Sequence, residues 1–392
     1  SAKGTRVLDD MYRRILAYSM PDNVREETIP MFRSVMAQIL ASSEPLPAAA
    51  LTAMRLYFPC VHDRYDVHQV IRSLGSLLHG ATESHIPIRP LDSAFYDFLA
   101  DAPQSHDFFV DTWSVQSDLA FASLRVMEHG LRFNICSLEN SYLPNSSVPD
   151  LEKRVKEFIS PELSYSCRFL GTHFGATSFE ASLAKEVEAF FDGERLLWLE
   201  ALALMKGIGS SSDTLSSLAN WVTMFVGQGH AKYMQIADAA RDLQRFVRTF
   251  WATIVHSTPH LYLSALPFAL TESRIFKKLA ANIPWTPRIV AGHVINWPQT
   301  ENIVIANSEV YSLTISWSWR RAFRASSVCV VVGDEVVPNE VVHRAAGLQI
   351  PGLFGVGTRS TTFKLLLHIP LSHIVLNFSV SHNENPTSSY SA

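Results

Sequence analysis

The 392-residue sequence is poor in charge and in basic clusters. Only 18% of its residues are Asp, Glu, Lys or Arg, whereas 47% are hydrophobic, and soluble domains usually carry about a quarter charged residues. The formal net charge is −4 and no dense Lys/Arg run occurs, so the chain has no basic field with which to release counterions from a nucleic acid. The composition therefore argues against nucleic acid and favours a surface that a missing protein partner covers.

Cysteine and long apolar runs are also scarce. The four cysteines lie far apart without a C-x-x-C pair, which predicts reduced thiols in a cytoplasmic or nuclear protein, with the cytoplasm preferred. The most apolar late segment, 365–378, is shorter than the roughly 18 residues of a membrane helix and contains Pro370, and the first residues lack the apolar core of a signal peptide. We expect no membrane partner. Because the chain begins without Met, we expect a fragment or trimmed product.

Helical periodicity dominates the first eighty residues, where apolar residues recur at i, i+3, i+4 and i+7. The first stripe comprises Leu8, Met11, Tyr12, Ile15 and Leu16, with Asp9, Arg13 and Arg14 expected to point outward. The next comprises Phe32, Val35, Met36, Ile39 and Leu40; Pro47 then opens a segment with Leu51 and Met54. The last comprises Val67, Val70, Ile71, Leu74, Leu77 and Leu78, and Gly80 is expected to end that helix.

A strand and another helix follow. HIPIRPL alternates apolar and polar residues and contains two prolines, as an edge strand does. The next helix begins near Asp92 or Ser93, either of which can cap it, and its buried face is Phe95, Phe98 and Leu99. The order helix, helix, helix, strand, helix predicts a winged-helix-like domain over 8–108.

The rest of the chain changes once, from helical spacing of apolar residues to alternation of β-branched residues. From 109 to 290 the helical spacing continues, which predicts an all-helical arm domain. Its clearest stripe is Leu243, Phe246, Val247, Phe250, Trp251 and Ile254, with Arg241, Asp242, Gln244 and Arg245 on the other face. Beyond Asn296 β-branched residues alternate and then lose their period, so we expect a short β remnant over 291–316 and a degenerate, β-rich or irregular, poorly ordered tail over 317–392. The expected fold class is mainly α.

No motif nominates an active site. PGLFGVGTRSTT has the glycine spacing of a phosphate-binding loop, but Thr358 stands where the lysine belongs. His256 and His260 have a metal-like i, i+4 spacing, but Pro259 disfavours a regular helix there. No G-x-S-x-G nucleophile motif occurs, and Glu194 and Glu200 flank a helix as solvated charges do. We expect no catalytic residue, no metal and no enzymatic activity.

Long segments of the chain resemble the region that follows the ATPase core in fungal (basidiomycete) NACHT and WD-repeat STAND NTPases, which are relatives of heterokaryon-incompatibility proteins. The segments are VLDDMYRRIL, FRSVMAQILASSEPLP, SLGSLL with PIRPLDSAFYDFLAD, FFVD, DLAFASLRVMEHGLRFNICSLENSYLPN, ELSYSCRF, WLEALALM and ARDLQRFVRTF with HSTPHLYLSALPFA. They cover about 6–300. The resemblance implies a switch in which a NACHT core binds ATP or ADP, the winged helix and arm lock or release it, and WD repeats sense a ligand.

This chain would hold only the middle of such a switch. VYSLTIS resembles the first propeller strand, but Trp317, Ser318 and Trp319 replace the expected S-P-D-G turn and no W-D signature follows. A reading-frame or splice change from about Trp317 would explain that departure. ATP or ADP is therefore expected only in intact family members, and no cofactor is expected here.

The segment IPIRPLDSAFYDFLAD matches the family's winged-helix motif L-H-x-S-F-x-D-F-L, whose His contacts the β-phosphate of ADP in related switches. The matching residues are Leu91, Phe95, Asp97, Phe98 and Leu99. Asp92 stands at the His position. Because an ionised carboxylate cannot donate to a phosphate and repels it, we expect Asp92 to be a helix cap and a lost nucleotide sensor.

The resemblance implies a non-catalytic regulatory or scaffold fragment of a NACHT-type STAND signalling switch that lacks the ATPase core and the WD propeller. It would act in fungal self/non-self recognition or an innate-immunity-like response, with a NACHT domain or another protein as partner. The oligomeric state stays open. One alternative is a nucleic-acid-binding winged helix, but Asp92, Asp97 and Asp101 make its candidate recognition helix acidic. A second alternative is an enzyme of unknown type, which would need a polar constellation that the sequence does not reveal.

Overall fold

The computed structural model describes residues 2–20, 25–225 and 233–269, together with the backbone of six strands between 303 and 380. The chain divides into two compact units, Ser1–Ile295 and Asn296–Ala392. It is mainly helical, as the periodicity predicts. The glycine-rich loop at 352–360 and the predicted boundary near 290 lie outside the described residues.

The first unit opens with a group of short helices that we call the N-terminal lobe. They are α1 (Ala2–Ser19), α2 (Arg25–Ala41), α3 (Ala48–Arg55), α4 (Val67–Ile71), α5 (Ser93–Ala100) and α6 (Ala102–Ser105), with 3-10 turns at Val61–Asp63, Arg72–Leu74 and His106–Phe108. Between α4 and α5, strand β1 (Leu78–His79) pairs antiparallel with β2 (Arg89–Pro90). The predicted order is present, with a two-stranded ribbon in place of a single strand.

The last predicted stripe of the lobe is buried at Leu74, Leu77 and Leu78 as expected, but the long helix predicted to carry it is wrong. The α-helix ends at Ile71, a 3-10 turn follows to Leu74, and Leu78 enters β1 opposite Pro90. Gly80 adopts φ +79°, and a Cβ on it would lie 2.9 Å from the carbonyl oxygens of Ile86 and Pro87. Gly80 is therefore needed where the chain leaves β1 and passes close to the backbone of Ile86 and Pro87, rather than for ending a helix.

Helix α1 turns a different face to the lobe from the one predicted. Tyr12 and Leu16 are buried as expected, but Asp9, predicted to point outward, is only 6% exposed. Leu8 and Met11, predicted to be buried, are 37% and 44% exposed. The stripe in the sequence therefore spans two faces of the helix, and only the face of Tyr12 is covered.

The arm is the helical group that follows, and its all-helical character is confirmed over the described residues. Its helices are α7 (Gln116–Gly130), α8 (Leu151–Phe158), α9 (Pro161–Gly175), α10 (Ala181–Asp192), α11 (Arg195–Leu204), α12 (Ser210–Phe225) and α13 (Met234–His256), with a 3-10 turn at Asn145–Ser147 and a π-helical turn at Leu261–Ala265. In the predicted stripe of α13, Leu243, Phe246, Val247 and Ile254 are buried and Phe250 is half-buried. Trp251 is 42% exposed because it lies at the edge of the stripe, over Gly209.

Small residues let the central helices of the arm approach closely. A Cβ on Gly171 of α9 would lie 2.5 Å from Cα of Thr214 in α12, so the two backbones nearly touch. Ser123 of α7 and Ser166 of α9 are fully buried. Trp198 of α11 fills the adjacent core, and its Nε1–H donates to the carbonyl of Cys167 at 2.9 Å. The arm is therefore closely packed around α9.

The second unit contains strands in two groups. The strands are β3 (Ile303–Ala306), β4 (Val310–Trp317), β5 (Ser326–Val332), β6 (Glu335–Val336), β7 (Thr361–Ile369) and β8 (Ser372–Val380). One sheet has the order β3-β7-β8, with β3 parallel to β7, and the other has the antiparallel order β4-β5-β6. The apolar segment 365–378 lies within the antiparallel pair β7 and β8. The predicted propeller remnant at 291–316 overlaps β3 and β4, and its origin stays a prediction.

Candidate functional site

Asp92, which the resemblance predicts to be a lost nucleotide sensor, lies at the N-terminus of α5. Its Oδ1 accepts a hydrogen bond of 3.0 Å from the backbone N–H of Ala94, so the predicted helix cap is confirmed. Its Oδ2 accepts a hydrogen bond of 3.2 Å from the hydroxyl of Tyr12 in α1. Burial, and then the carboxylate of Asp92, raise the pKa of Tyr12, so its hydroxyl stays neutral and donates. Both oxygens of Asp92 therefore serve contacts within the lobe.

The other residues of the predicted motif separate into a buried group and an exposed group. Phe95, Phe98 and Leu99 are buried, and the ring of Tyr12 lies 5.2 and 5.5 Å from those of Phe95 and Phe98. Leu91 is exposed, as is Asp97. The buried residues of the motif thus form the surface of α5 against which α1 packs.

A second polar cluster joins the lobe to the arm. The backbone N–H of Ser43, in the loop after α2, donates to the hydroxyl oxygen of Tyr165 at 3.1 Å. The Tyr165 hydroxyl lies 2.9 Å from Nε2 of His173, and Nδ1 of His173 lies 2.8 Å from Oε1 of Gln116. An amide oxygen only accepts, so Nδ1 carries the proton and Nε2 accepts from Tyr165.

The imidazole of His173 is neutral at physiological pH. It is fully buried, and burial lowers its pKa to about 4. Burial likewise raises the pKa of Tyr165. Because neither group titrates near pH 7, the chain of hydrogen bonds from Ser43 to Gln116 is a fixed connection rather than a proton relay.

An ion pair lies beside that connection. The guanidinium of Arg168 in α9 donates to both carboxylate oxygens of Glu44, with Nη1 2.9 Å from Oε2. Its Cζ lies 4.8 Å from the ring centre of Phe169. Two parallel bonds fix the orientation of the pair as well as its distance. Ser43 and Glu44 thus tie the loop after α2 to α9.

A buried arginine organises the interior of the lobe, and sequence inspection missed it. Arg55 is fully buried between the rings of Phe58 and Tyr65, whose centres lie 4.8 and 4.3 Å from its Cζ. Its hydrogen bonds go to the Oγ of Ser34 (2.7 Å), the Oε1 of Gln38 (3.0 Å) and the carbonyl of Asp63 (2.9 Å). Nearby, burial and then the charge of Asp63 raise the pKa of Asp118 to about 6, against the attraction of Arg55.

The expectation that Glu200 is a solvated charge is wrong. It is 3% exposed and accepts hydrogen bonds from the N–H of Ile135 at 2.9 Å and the hydroxyl of Tyr262 at 2.6 Å. Burial raises the pKa of Glu200. The carboxylate is kept inside because it joins α11 to the turn after α7 and to the π-helical turn after α13.

The polar clusters around His173, Arg168, Arg55 and Glu200 hold helices and loops in place. Within the described ranges, no three His, Cys, Asp or Glu side chains are placed to hold a metal ion. His256 ends α13, and Nδ1 of His260 lies 2.6 Å from Oγ of Ser264. Among the helices that the structure describes, none has the length and apolar composition to cross a bilayer. Comparisons with family models, curated proteins and solved structures found no match.

Proposed function

We propose that the chain is a non-catalytic regulatory or scaffold module, equivalent to the winged-helix and arm region of a NACHT-type STAND switch in fungal self/non-self recognition. Its partner would be a NACHT domain or another protein. The observation that carries this proposal is Asp92. At the position given to a phosphate-binding His, the chain has an acceptor-only carboxylate whose oxygens are used by Ala94 and Tyr12.

The coupling of the lobe to the arm supports a mechanical role. Ser43 and Glu44 are held by Tyr165 and Arg168 of α9, and Nη1 of Arg125 in α7 donates to the carbonyl of Tyr57 at 3.3 Å. A partner that displaced the lobe would therefore displace α7 and α9 with it. This coupling would allow the binding of a partner at the lobe to change the position of the arm helices.

Charge on α5 argues against the nucleic-acid alternative. The helix Ser93–Ala100 contains no Lys or Arg, and Asp92 and Asp97 are exposed at its surface. Carboxylates facing a phosphate backbone would lose affinity, because binding to nucleic acid depends on basic side chains that displace counterions. A protein surface fits this helix better.

The experiment has two arms. First, calorimetry of the chain with ATP and ADP in Mg²⁺ should show no binding. Second, the chain should form a complex with a separately purified, ADP-loaded NACHT core from one of the proteins it resembles. Micromolar nucleotide binding by the chain alone, or tight binding of duplex DNA without a NACHT complex, would overturn the proposal.

A further inference from the structure

Helix α13 carries a row of arginines on the face that points away from the core of the arm. Its buried face includes Leu243, Phe246, Val247 and Ile254. Arg241, Arg245 and Arg248 follow one another at intervals of four and three residues, and all three are exposed. At about 100° per residue they lie within an arc of about 60°, on the side opposite the buried face.

Two of these arginines have no acidic partner among the side chains that the structure describes. Nη1 of Arg241 lies 3.4 Å from Oδ1 of Asp238, whereas Arg245 and Arg248 form no ion pair with a described side chain. The other acidic residue of the helix, Asp242, is half-buried, and its charge acts on the buried arginine that begins α11. Two positive charges of α13 are therefore left facing solvent.

Exposed apolar side chains continue this row toward the C-terminus of the helix. Trp251 and Val255 are 42% and 43% exposed, and the exposed Ala252 lies between the arginines and Val255. We call the surface formed by Arg245, Arg248, Trp251, Ala252 and Val255 the α13 strip. It is about 15 Å long, with its charge at one end and its apolar side chains at the other.

The composition of the α13 strip indicates a protein partner. Arginine and tryptophan are enriched in the cores of protein interfaces, where they contribute much of the binding energy. An arginine also holds a carboxylate through two parallel hydrogen bonds, which fixes the orientation of the pair. A partner with a few carboxylates followed by apolar side chains would therefore match both ends of the strip.

The surroundings of the α13 strip argue against a polyanion and against a second copy of the chain. Asp238 and Asp213 are exposed beside the strip; Asp213 follows Ser212, whose Oγ accepts a 2.9 Å hydrogen bond from Gln244 of α13. The continuous phosphates of a nucleic acid would meet these carboxylates, and the strip offers too few cations to offset them. A second copy of α13 would place arginines against arginines.

We propose that the α13 strip binds an acidic segment of a partner protein, whose carboxylates pair with Arg245 and Arg248 and whose apolar side chains pack on Trp251 and Val255. The inference rests on the proposed scaffold role and adds a surface to it, and the partner need not be a NACHT domain.

The test uses a fluorescent peptide of about five helical turns, with Glu on one half of a helix face and Leu on the other half of the same face. Two versions, with the Glu half first or last, cover both directions along α13. Fluorescence anisotropy with the whole chain should give micromolar binding of one version, weakening as salt is added. Replacing its Glu residues by Lys should weaken binding to the native chain at least tenfold.

Charge-reversal variants locate the binding site. R245E/R248E should bind the Glu peptide at least tenfold more weakly and should bind the Lys peptide in its place. R245Q/R248Q, which removes the charges without reversing them, should also lose affinity for the Glu peptide, and W251A should weaken binding severalfold. The matched control K153E/K185E makes the same change of net charge at exposed lysines of α8 and α10 and should bind the Glu peptide normally.

The inference is overturned if neither Glu peptide binds, if K153E/K185E weakens binding as much as R245E/R248E, or if W251A binds fully. Binding of single-stranded DNA or of phosphatidylserine vesicles in place of the peptide, or self-association that R245E/R248E abolishes, would assign the strip to another partner and overturn it too. Circular dichroism melting checks that each variant folds. The proposed function fails separately, because a missing complex with the NACHT core leaves the peptide result standing.

Discussion

The hydroxyl of Tyr12 donates a hydrogen bond of 3.2 Å to Oδ2 of Asp92, which joins α1 to the first turn of α5 across 80 residues of sequence. The same carboxylate caps α5 through Ala94. Asp92 therefore both caps α5 and holds α1 against it. Separating these two contributions requires substitutions at Asp92 and at Tyr12, alone and together.

A double-mutant cycle should measure that coupling. Asp92→Ala loses a cap worth about 1 kcal/mol as well as the bond from Tyr12, and Tyr12→Phe alone should cost about 0.5–1.5 kcal/mol. In the Asp92→Ala background, Tyr12→Phe should cost less by about 0.5 kcal/mol or more, since its acceptor is gone. Urea unfolding midpoints give these values. Strictly additive costs would show that the bond contributes nothing, and the exposed Asp97→Ala should change stability by no more than about 0.5 kcal/mol.

Asp92→His should have opposite effects in two contexts. In the chain alone it should destabilise the fold by about 1 kcal/mol, because His is a poorer cap than Asp. In a fusion with a functional NACHT core it should strengthen ADP retention by roughly 1.5–3 kcal/mol, the value of a hydrogen bond to a charged group. The readouts are the urea midpoint and the ADP off-rate. An unchanged off-rate would show that position 92 does not sense phosphate.

His173 should make the fold sensitive to acid. Its pKa is about 4 in the folded chain and about 6.5 when unfolded, so the unfolded state binds more protons between those values. The contribution of neutral His173 is complete above about pH 6.5 and is lost as pH falls through about 4, by up to about 3 kcal/mol. Unfolding free energies from pH 7 to 4 should therefore fall less steeply in His173→Gln than in the native chain. Equal slopes would contradict a buried neutral imidazole.

Asp118 should change the stability of the fold with pH in the direction opposite to His173. Its folded pKa of about 6 lies above the unfolded value of 3.8, so the folded state binds more protons between pH 6 and 4 and ionised Asp118 opposes folding at neutral pH. Asp118→Asn should raise the urea midpoint at pH 7 and change it little at pH 4. If the variant destabilises the chain at pH 7, the carboxylate is held by favourable contacts that outweigh its desolvation.

Periodicity located the helices because each helix must bury one apolar face. The spacing of apolar residues that produces this face can be seen within the helix's own sequence. It misassigned the face of α1 because Leu8 and Met11 belong to one apolar side and Tyr12 and Leu16 to another. A stripe shows that a face is apolar, but it does not show which face the rest of the chain covers.

Polar contacts between distant residues were harder to predict. Nothing in the neighbourhood of His173 indicates Gln116, which lies 57 residues away. Glu200 did have a signal, since it is the single charged residue between Leu196 and Leu204. A lone carboxylate in so apolar a helix has no solvated face to occupy, and burial with paired donors is the consistent alternative.

The tie between Glu44 and Arg168 also governs how the chain is made. The two residues are 124 positions apart, so at about 5–20 residues per second the ribosome synthesises Arg168 roughly 6–25 s after Glu44. During that interval the loop after α2 has emerged without α9 to hold it. The contacts of Arg55 with Ser34, Gln38 and Asp63 close within 30 residues of sequence and need nothing from the arm. The hydrogen bonds of the buried arginine can therefore form before the arm is synthesised, whereas the tie between Glu44 and Arg168 cannot.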